Sequence, residues 1–395
     1  MGVPSRLAVL DTGLEARKHC KLSGTVALTT GITLAYQVYE LKPQQHELSM
    51  QIGAGVEAPS SSTEEPKDRV IMIMGFACTG SAWLPLLQNL FSREQGDSKE
   101  ASGPPTSAAA AGLEIAVYDN RGIGCSSCPT QKSSYSTDIM AQDALGLMDY
   151  LGWRRAHVVG HSMGAMIAAR LAVAAPERVA SLTLISTTGG GSEAIPLNLR
   201  ALRAAWRGLL ASSADPHTRA SVDLTFHFAP QLLATQDPHS GRRVKDVLKE
   251  QYVLGGKEHG PQPPHGQEGH ASAVLKHGVN RRECRTLATA GFPIKLIHGS
   301  EDIVAAPRHA ARLAARLGAP LVLLPGGAHF IPRDCAAEIV DELLATVEAV
   351  RQGFTHAPVV HRTAAAGSSL DDAVSYGEVR QPRFGASWCC MCCSA

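Results

Sequence analysis

Short, continuous apolar runs alternate with helically spaced segments along most of this chain, and that alternation admits few folds. "RVIMIMG" (69–75), "LEIAVYDN" (113–120), "AHVVG" (156–160), "VASLTLIST" (179–187), "FPIKLIHG" (292–299) and "APLVLLPGG" (319–327) lack the polar alternation of a half-exposed strand. Runs like these belong to strands buried on both faces of a sheet. Helical spacing marks "SAWLPLLQNLF" (81–91), "STDIMAQDALGLMDYLGW" (136–153), "MGAMIAARLAVAAPE" (163–177), "APRHAARLAARLG" (306–318) and "CAAEIVDELLATVEAVRQG" (335–353). Ser136 or Thr137 is the expected N-cap of the second helix. "GITLAYQVYEL" (31–41) alternates apolar and polar residues, as an edge strand does. The expected class is α/β, with a mostly parallel central sheet and helices on both faces.

Three stretches interrupt the order. Residues 54–68 and 92–112 are rich in Ser, Pro, Gly, Ala and charge, and read as disordered insertions. The third, 188–291, places roughly 100 residues where a crossover needs about a dozen. "IPLNLRALRAAWRGLLASS" and "GRRVKDVLKEQYVL" within it are helix-like, so it reads as an inserted helical cap with a disordered bulge at 255–272. The layout is then 1–187 and 292–355 as the two parts of one core, 188–291 as the cap, and 356–395 as a flexible Cys-rich tail.

Composition excludes several classes. Lys+Arg number 37 against 36 Asp+Glu, with no long basic run, which argues against nucleic acid or an anionic membrane as partner. No apolar run approaches the roughly 18 residues that span a bilayer, and the N-terminus lacks a signal-peptide pattern. The ten cysteines form no disulfide framework, which suggests a reducing, cytoplasmic setting. Cys125 and Cys128 make a lone C-x-x-C that cannot complete a zinc site. No metal and no cofactor are expected. Cys389, Cys390, Cys392 and Cys393 crowd "SWCCMCCSA", where lipid anchoring would tie the tail to a membrane and an unstructured tail is the plainer reading.

Residues Gly160, His161, Ser162, Met163 and Gly164 meet the pattern G-x-S-x-G. Alone the pattern is weak, but here a strand leads in and a helix leads out, as a nucleophile elbow requires. The turn is so tight that side chains at 160 and 164 would strike neighbouring backbone. A serine hydroxyl needs a base, and in this architecture the partners follow in the order Ser, acid, His. "LIHGSEDIV" puts Asp302 just past a strand, and "LLPGGAHFI" puts His329 past the last one. Catalytic groups of open α/β sheets gather at the carboxyl ends of strands, so Ser162, Asp302 and His329 should converge. His329 would take the serine proton and Asp302 would fix its tautomer. Glu301 is the alternative acid. Asp302 could instead cap the helix near 307. His298 reads as core-facing, and His161 as a packing or hydrogen-bonding residue.

The oxyanion needs two donors. One is the backbone N–H of Met163, and the other that of Phe76 in "MGFACTGSAW", where Gly75 allows close approach. Asp119 and Arg121 in "YDNRGIGCSS" read as a buried ion pair holding loops under the site.

"MGFACTG", "YDNRGIGCSS", "GHSMGA", "GSEDIV" and "GGAHF", in that order, resemble the landmarks of the α/β-hydrolase fold family. The chain looks most similar to plant and algal hydrolases that are themselves similar to enol-lactonases and aminoacrylate hydrolases. The resemblance implies a triad of Ser162, Asp302 and His329, with amides from Met163 and Phe76. Met74 departs from the histidine that many members carry before the oxyanion-loop glycine. The expected function is hydrolysis of an ester, lactone or thioester of a small or medium acid through an acyl-enzyme, with a small-molecule acyl compound as partner. Cofactor-free carbon–carbon hydrolysis uses the same triad, and a small-molecule receptor on this fold would keep it with little turnover.

Overall fold

A computed structural model describes residues 6–41, 68–94, 112–196, 199–203, 215–260 and 262–357. Its strands are β1 (Cys20–Ala27), β2 (Thr33–Glu40), β3 (Asp68–Ile73), β4 (Leu113–Tyr118), β5 (Ala156–His161), β6 (Val179–Ile185), β7 (Ile294–Gly299) and β8 (Leu321–Leu324). They form one sheet in the order β1-β2-β4-β3-β5-β6-β7-β8. The pairs β1–β2 and β2–β4 are antiparallel, and every later pair is parallel.

The continuous apolar runs are the parallel strands, because both faces of the sheet are covered. In β3, Ile71 and Ile73 enter one core while Val70 and Met72 enter the other. The same split separates Val158 from Val159 and Leu296 from Ile297, as the two-residue period of a strand demands. The helices are α1 (Leu84–Glu94), α2 (Thr137–Tyr150), α3 (Met163–Ala174), α4 (Pro216–His227), α5 (Pro230–Ala234), α6 (Val244–His259), α7 (Pro264–Lys276), α8 (Arg281–Ala288), α9 (Pro307–Leu317), α10 (Ile331–Asp334) and α11 (Ala336–Arg351). One core takes residues of α2, α3, α8 and α9, and the other residues of α1 and α11. Ser136 is the N-cap of α2, its hydroxyl accepting the Ile139 N–H at 3.1 Å.

Two expectations need correction. First, β2 is not an edge strand, because β1 lies outside it. β2 alternates because one of its faces is buried more fully than the other, and β1 escapes notice because its side chains are mostly exposed. Second, residues 255–272 are largely helical: α6 runs through 255–259, and α7 begins at Pro264. Proline is tolerated in a first helical turn, and the glycines of α7 serve contact, as described below. Helices α4 to α8 all fall between β6 and β7 in the chain. The insertions expected at 54–68 and 92–112 lie outside the described residues except at their edges, as do the tail from 358 and its four cysteines. Among the described residues, no helix is long and apolar enough to cross a membrane.

Candidate active site

The turn between β5 and α3 is as tight as its glycines imply. Ser162 has φ 54° and ψ −119°, a conformation side chains rarely adopt and which the surroundings must hold. A Cβ on Gly160 would lie 2.3 Å from the Gly164 carbonyl oxygen, and one on Gly164 would lie 2.0 Å from that of Ile73. The Ser162 N–H donates to the Ile185 carbonyl at 2.8 Å, tying the elbow to β6. Met163 opens α3, so its N–H has no carbonyl partner within the helix. The N-terminus of α3 also favours negative charge.

Three strand ends bring the expected triad residues together. His329 Nε2 lies 2.9 Å from Ser162 Oγ, and His329 Nδ1 lies 2.8 Å from Asp302 Oδ2. The other carboxylate oxygen of Asp302 accepts the Val304 and Ala305 N–H groups at 2.8 and 2.9 Å. Burial alone would push this carboxyl up, but His329 and His298 outweigh it and hold it well below the usual carboxylate range. Asp302 does not cap α9, whose N-cap is Ala306. Glu301 is exposed, whereas Asp302 is buried.

Two further histidines support this arrangement. His298 is buried within β7; its Nε2 lies 2.7 Å from the Ala305 carbonyl and 3.3 Å from Asp302 Oδ2. It is therefore both a core residue and a neighbour of the acid, a pairing its place inside an apolar strand concealed. His161 places Nε2 2.9 Å from the backbone carbonyl of His329. A carbonyl only accepts, so Nε2 donates. Burial, then the neighbouring His329, push His161 down to about 3, so its ring is neutral.

The loop after β3 passes beside the elbow. A Cβ on Gly75 would lie 3.0 Å from both the His161 carbonyl oxygen and Ser162 Cβ. The buried Asn120 side chain donates to the Met74 carbonyl at 2.8 Å. Ala77 has φ 56°, and its N–H donates to His270 Nδ1 at 3.4 Å. Phe76 meets the His270 ring edge-on, with centroids 5.8 Å apart.

The expected Asp119–Arg121 ion pair is not formed. Asp119 accepts the Gly80 N–H at 2.8 Å and the Cys125 N–H at 3.0 Å. Arg121 instead makes a two-pronged contact with Asp143 of α2, with Nε and Nη2 each 2.6 Å from a carboxylate oxygen. A guanidinium fork needs a carboxylate lying in its own plane, and Asp143 supplies it while Asp119 is committed to backbone donors. Both residues still fix the loop after β4.

Helix α4, which falls between β6 and β7 in the chain, meets the segment that follows His329. Its last residue, His227, accepts the Phe330 N–H on its carbonyl at 3.1 Å and lies 2.7 Å from the Tyr252 hydroxyl through Nδ1. Burial pushes the Asp223 carboxyl of the same helix up to about 6. Neither residue carried a motif that could have marked it. Among the described residues, no group of three or more His, Cys, Asp or Glu side chains is placed to hold a metal ion. Cys125 is exposed, and Cys128 Sγ lies 3.7 Å from the Tyr135 hydroxyl.

Comparison with known proteins places these features in context. The family described as "alpha/beta hydrolase fold" matches over residues 68–334. Protein RutD of Caulobacter sp. (strain K31), provisionally named a carbamate hydrolase, is 26% identical over 264 residues, which is 67% of this chain and 84% of that protein. A 2-hydroxy-6-oxononadienedioate/2-hydroxy-6-oxononatrienedioate hydrolase of Pseudomonas sp. is 28% identical over 193 residues; the match covers 49% of this chain and 62% of that protein. Among solved structures, the enol-lactonase of Burkholderia xenovorans LB400 superposes with a TM-score of 0.57 at 19% identity, over 82% of this chain and all of that one.

Proposed function

The chain belongs to the alpha/beta hydrolase fold family, and from that premise we propose that it is a serine hydrolase working through an acyl-enzyme on Ser162. The observation that carries this reading is the relay itself: Ser162 Oγ at 2.9 Å from His329 Nε2, whose other ring nitrogen lies 2.8 Å from Asp302.

In this reading Ser162 Oγ attacks the acyl carbon as its proton passes to His329 Nε2. The Met163 and Phe76 backbone N–H groups receive the developing oxyanion; one such donor is worth about 3 kcal/mol in the transition state. Collapse expels the alcohol or thiol, which takes the proton from His329, leaving the acyl group on Ser162. Water then attacks, giving a proton to His329, and as the bond to Ser162 breaks His329 returns that proton to Ser162 Oγ and the acid leaves. Asp302 stays ionised throughout and holds the Nδ1–H tautomer. The substrate class is an ester, lactone or thioester of a small or medium carboxylic acid. Among the similar proteins, the enol-lactonase name favours this class.

A panel of p-nitrophenyl esters, lactones and acyl-thioesters tests it. Wild type turns over at least one class, and Ser162→Ala abolishes that turnover. Turnover equal in wild type and Ser162→Ala would overturn the assignment. Tight binding of the same compounds without turnover would indicate a receptor.

A further inference from the structure

We infer that His270, carried by α7 of the inserted segment, is a positioning residue for the oxyanion loop, fixing the backbone beside Phe76 through the Ala77 N–H. This rests on the hydrolase reading above and names a part of the site it leaves open.

The tautomer follows from the partners. His270 Nε2 lies 2.7 Å from the Arg121 carbonyl oxygen, which can only accept, so Nε2 bears the hydrogen and Nδ1 is a bare acceptor. Two donors converge on that nitrogen: the Ala77 N–H at 3.4 Å and the Gln262 side-chain amide at 3.1 Å. The ring is fully buried, and burial, outweighing the Arg121 carbonyl, pushes its pKa down to about 4. The acceptor is thus kept at neutral pH.

Ala77 needs such a restraint. Its φ of 56° is unfavourable for any residue but glycine and persists only where neighbours enforce it. The Phe76 ring against the edge of His270 adds a second contact to the same two residues. On the core side, Asn120 holds the Met74 carbonyl. The loop bearing the proposed oxyanion donor is therefore gripped from both sides, once by the core and once by the insertion.

The sequence around His270 is built for this approach. A Cβ on Gly266 would lie 1.9 Å from the Gly122 carbonyl oxygen, and one on Gly269 would lie 2.4 Å from the Tyr135 ring. Both glycines therefore let α7 lie directly on the loop after β4, which brings His270 within reach of Ala77. On this account the segment between β6 and β7 helps to build the oxyanion site.

Two isosteric substitutions separate the ring's two bonds. His270→Asn keeps an acceptor near Nδ1 and gives up the Arg121 contact. His270→Gln keeps a donor near Nε2 and gives up Ala77. Amide hydrogen exchange, read at Ala77, is expected to accelerate in the Gln variant and stay near wild type in the Asn variant. With a p-nitrophenyl ester, kcat is expected to fall about 100-fold in the Gln variant, the scale of a small misplacement, with KM nearly unchanged; the Asn variant loses less. Unchanged Ala77 exchange in the Gln variant, or an Asn variant as impaired as Gln, would overturn the inference. So would ring nitrogen NMR shifts of wild type placing the proton on Nδ1, a reading that needs no variant to fold. If Ala77 exchange follows the expected pattern while wild type hydrolyses nothing, the clamp stands and the hydrolase reading fails.

Discussion

His298 and His329 face the same oxygen of Asp302, at 3.3 and 2.8 Å, while two backbone N–H groups occupy its other oxygen. With three hydrogen-bond donors on it and the His298 ring close by, the carboxylate has every reason to remain charged. On the proposed reading, its part is to orient the His329 imidazole. Asp302→Asn can present an amide N–H to Nδ1 and favour the wrong tautomer, so kcat on a p-nitrophenyl ester should fall about 10⁴-fold. Glu301→Gln, at an exposed position, should leave kcat within about twofold. Steady-state kinetics on the two variants side by side distinguish the acids; a reversed pattern would reassign them.

The elbow tolerates no Cβ at Gly160, where one would meet Gly164 and Ala165 backbone at 2.3 and 2.5 Å. Backbone cannot swing aside as a side chain can. Gly160→Ala is expected to cost about 1–3 kcal/mol of stability and to slow acylation of Ser162 in whatever fraction folds. Urea titration gives the first quantity and fluorophosphonate labelling rate the second.

What was legible and what was not divides along physical lines. Ser162, Asp302 and His329 each follow a continuous apolar strand, so local sequence suffices to expect the convergence that brings the three within hydrogen-bond distance. Gly160 and Gly164 were legible because a steric need has a residue type attached to it. The Arg121 partner was not. Asp119 is near in sequence, but Asp143 sits in a helix whose packing alone decides which carboxylate the guanidinium meets. His270 was hidden for a related reason. "HGQEGH" reads as loop in isolation, whereas in the fold its glycines are the condition for a helix to touch Gly122 and Tyr135. β1 went unseen because a mostly exposed strand carries little apolar signal.

The Arg121–Asp143 pair is almost wholly buried, with side chains 3% and 2% exposed. Removing one member leaves the other charged without its partner, so Asp143→Ala should cost about 3–5 kcal/mol. Arg121→Met with Asp143→Leu should cost less than either single change, since no buried charge is stranded. Chemical denaturation of the three variants checks this; an additive double mutant would show that the two side chains act independently.

Acid should destabilise the fold through its buried histidines. Burial pushes His161 and His227 down to about 3 and His270 and His277 down to about 4. Unfolding exposes these rings, and each then takes up a proton below its ordinary value of 6.5. Stability they contribute is full above pH 6.5 and is lost as pH falls toward the folded-state values. Near pH 5 each such ring adds about 1.4 kcal/mol per pH unit to the slope. His277→Gln should flatten the slope by that amount, measured from urea unfolding across pH 4.5 to 7. An unchanged slope would mean that His277 is already charged in the folded protein.

The proposed chemistry requires the Ser162 hydroxyl to be a nucleophile. Intact mass and peptide mapping after treatment with a fluorophosphonate test this directly. One adduct per chain, on the peptide holding Ser162 and absent from Ser162→Ala and strongly slowed in His329→Ala, is the expected result. Folded wild-type protein that takes up no adduct, or takes it up on another residue, would contradict it.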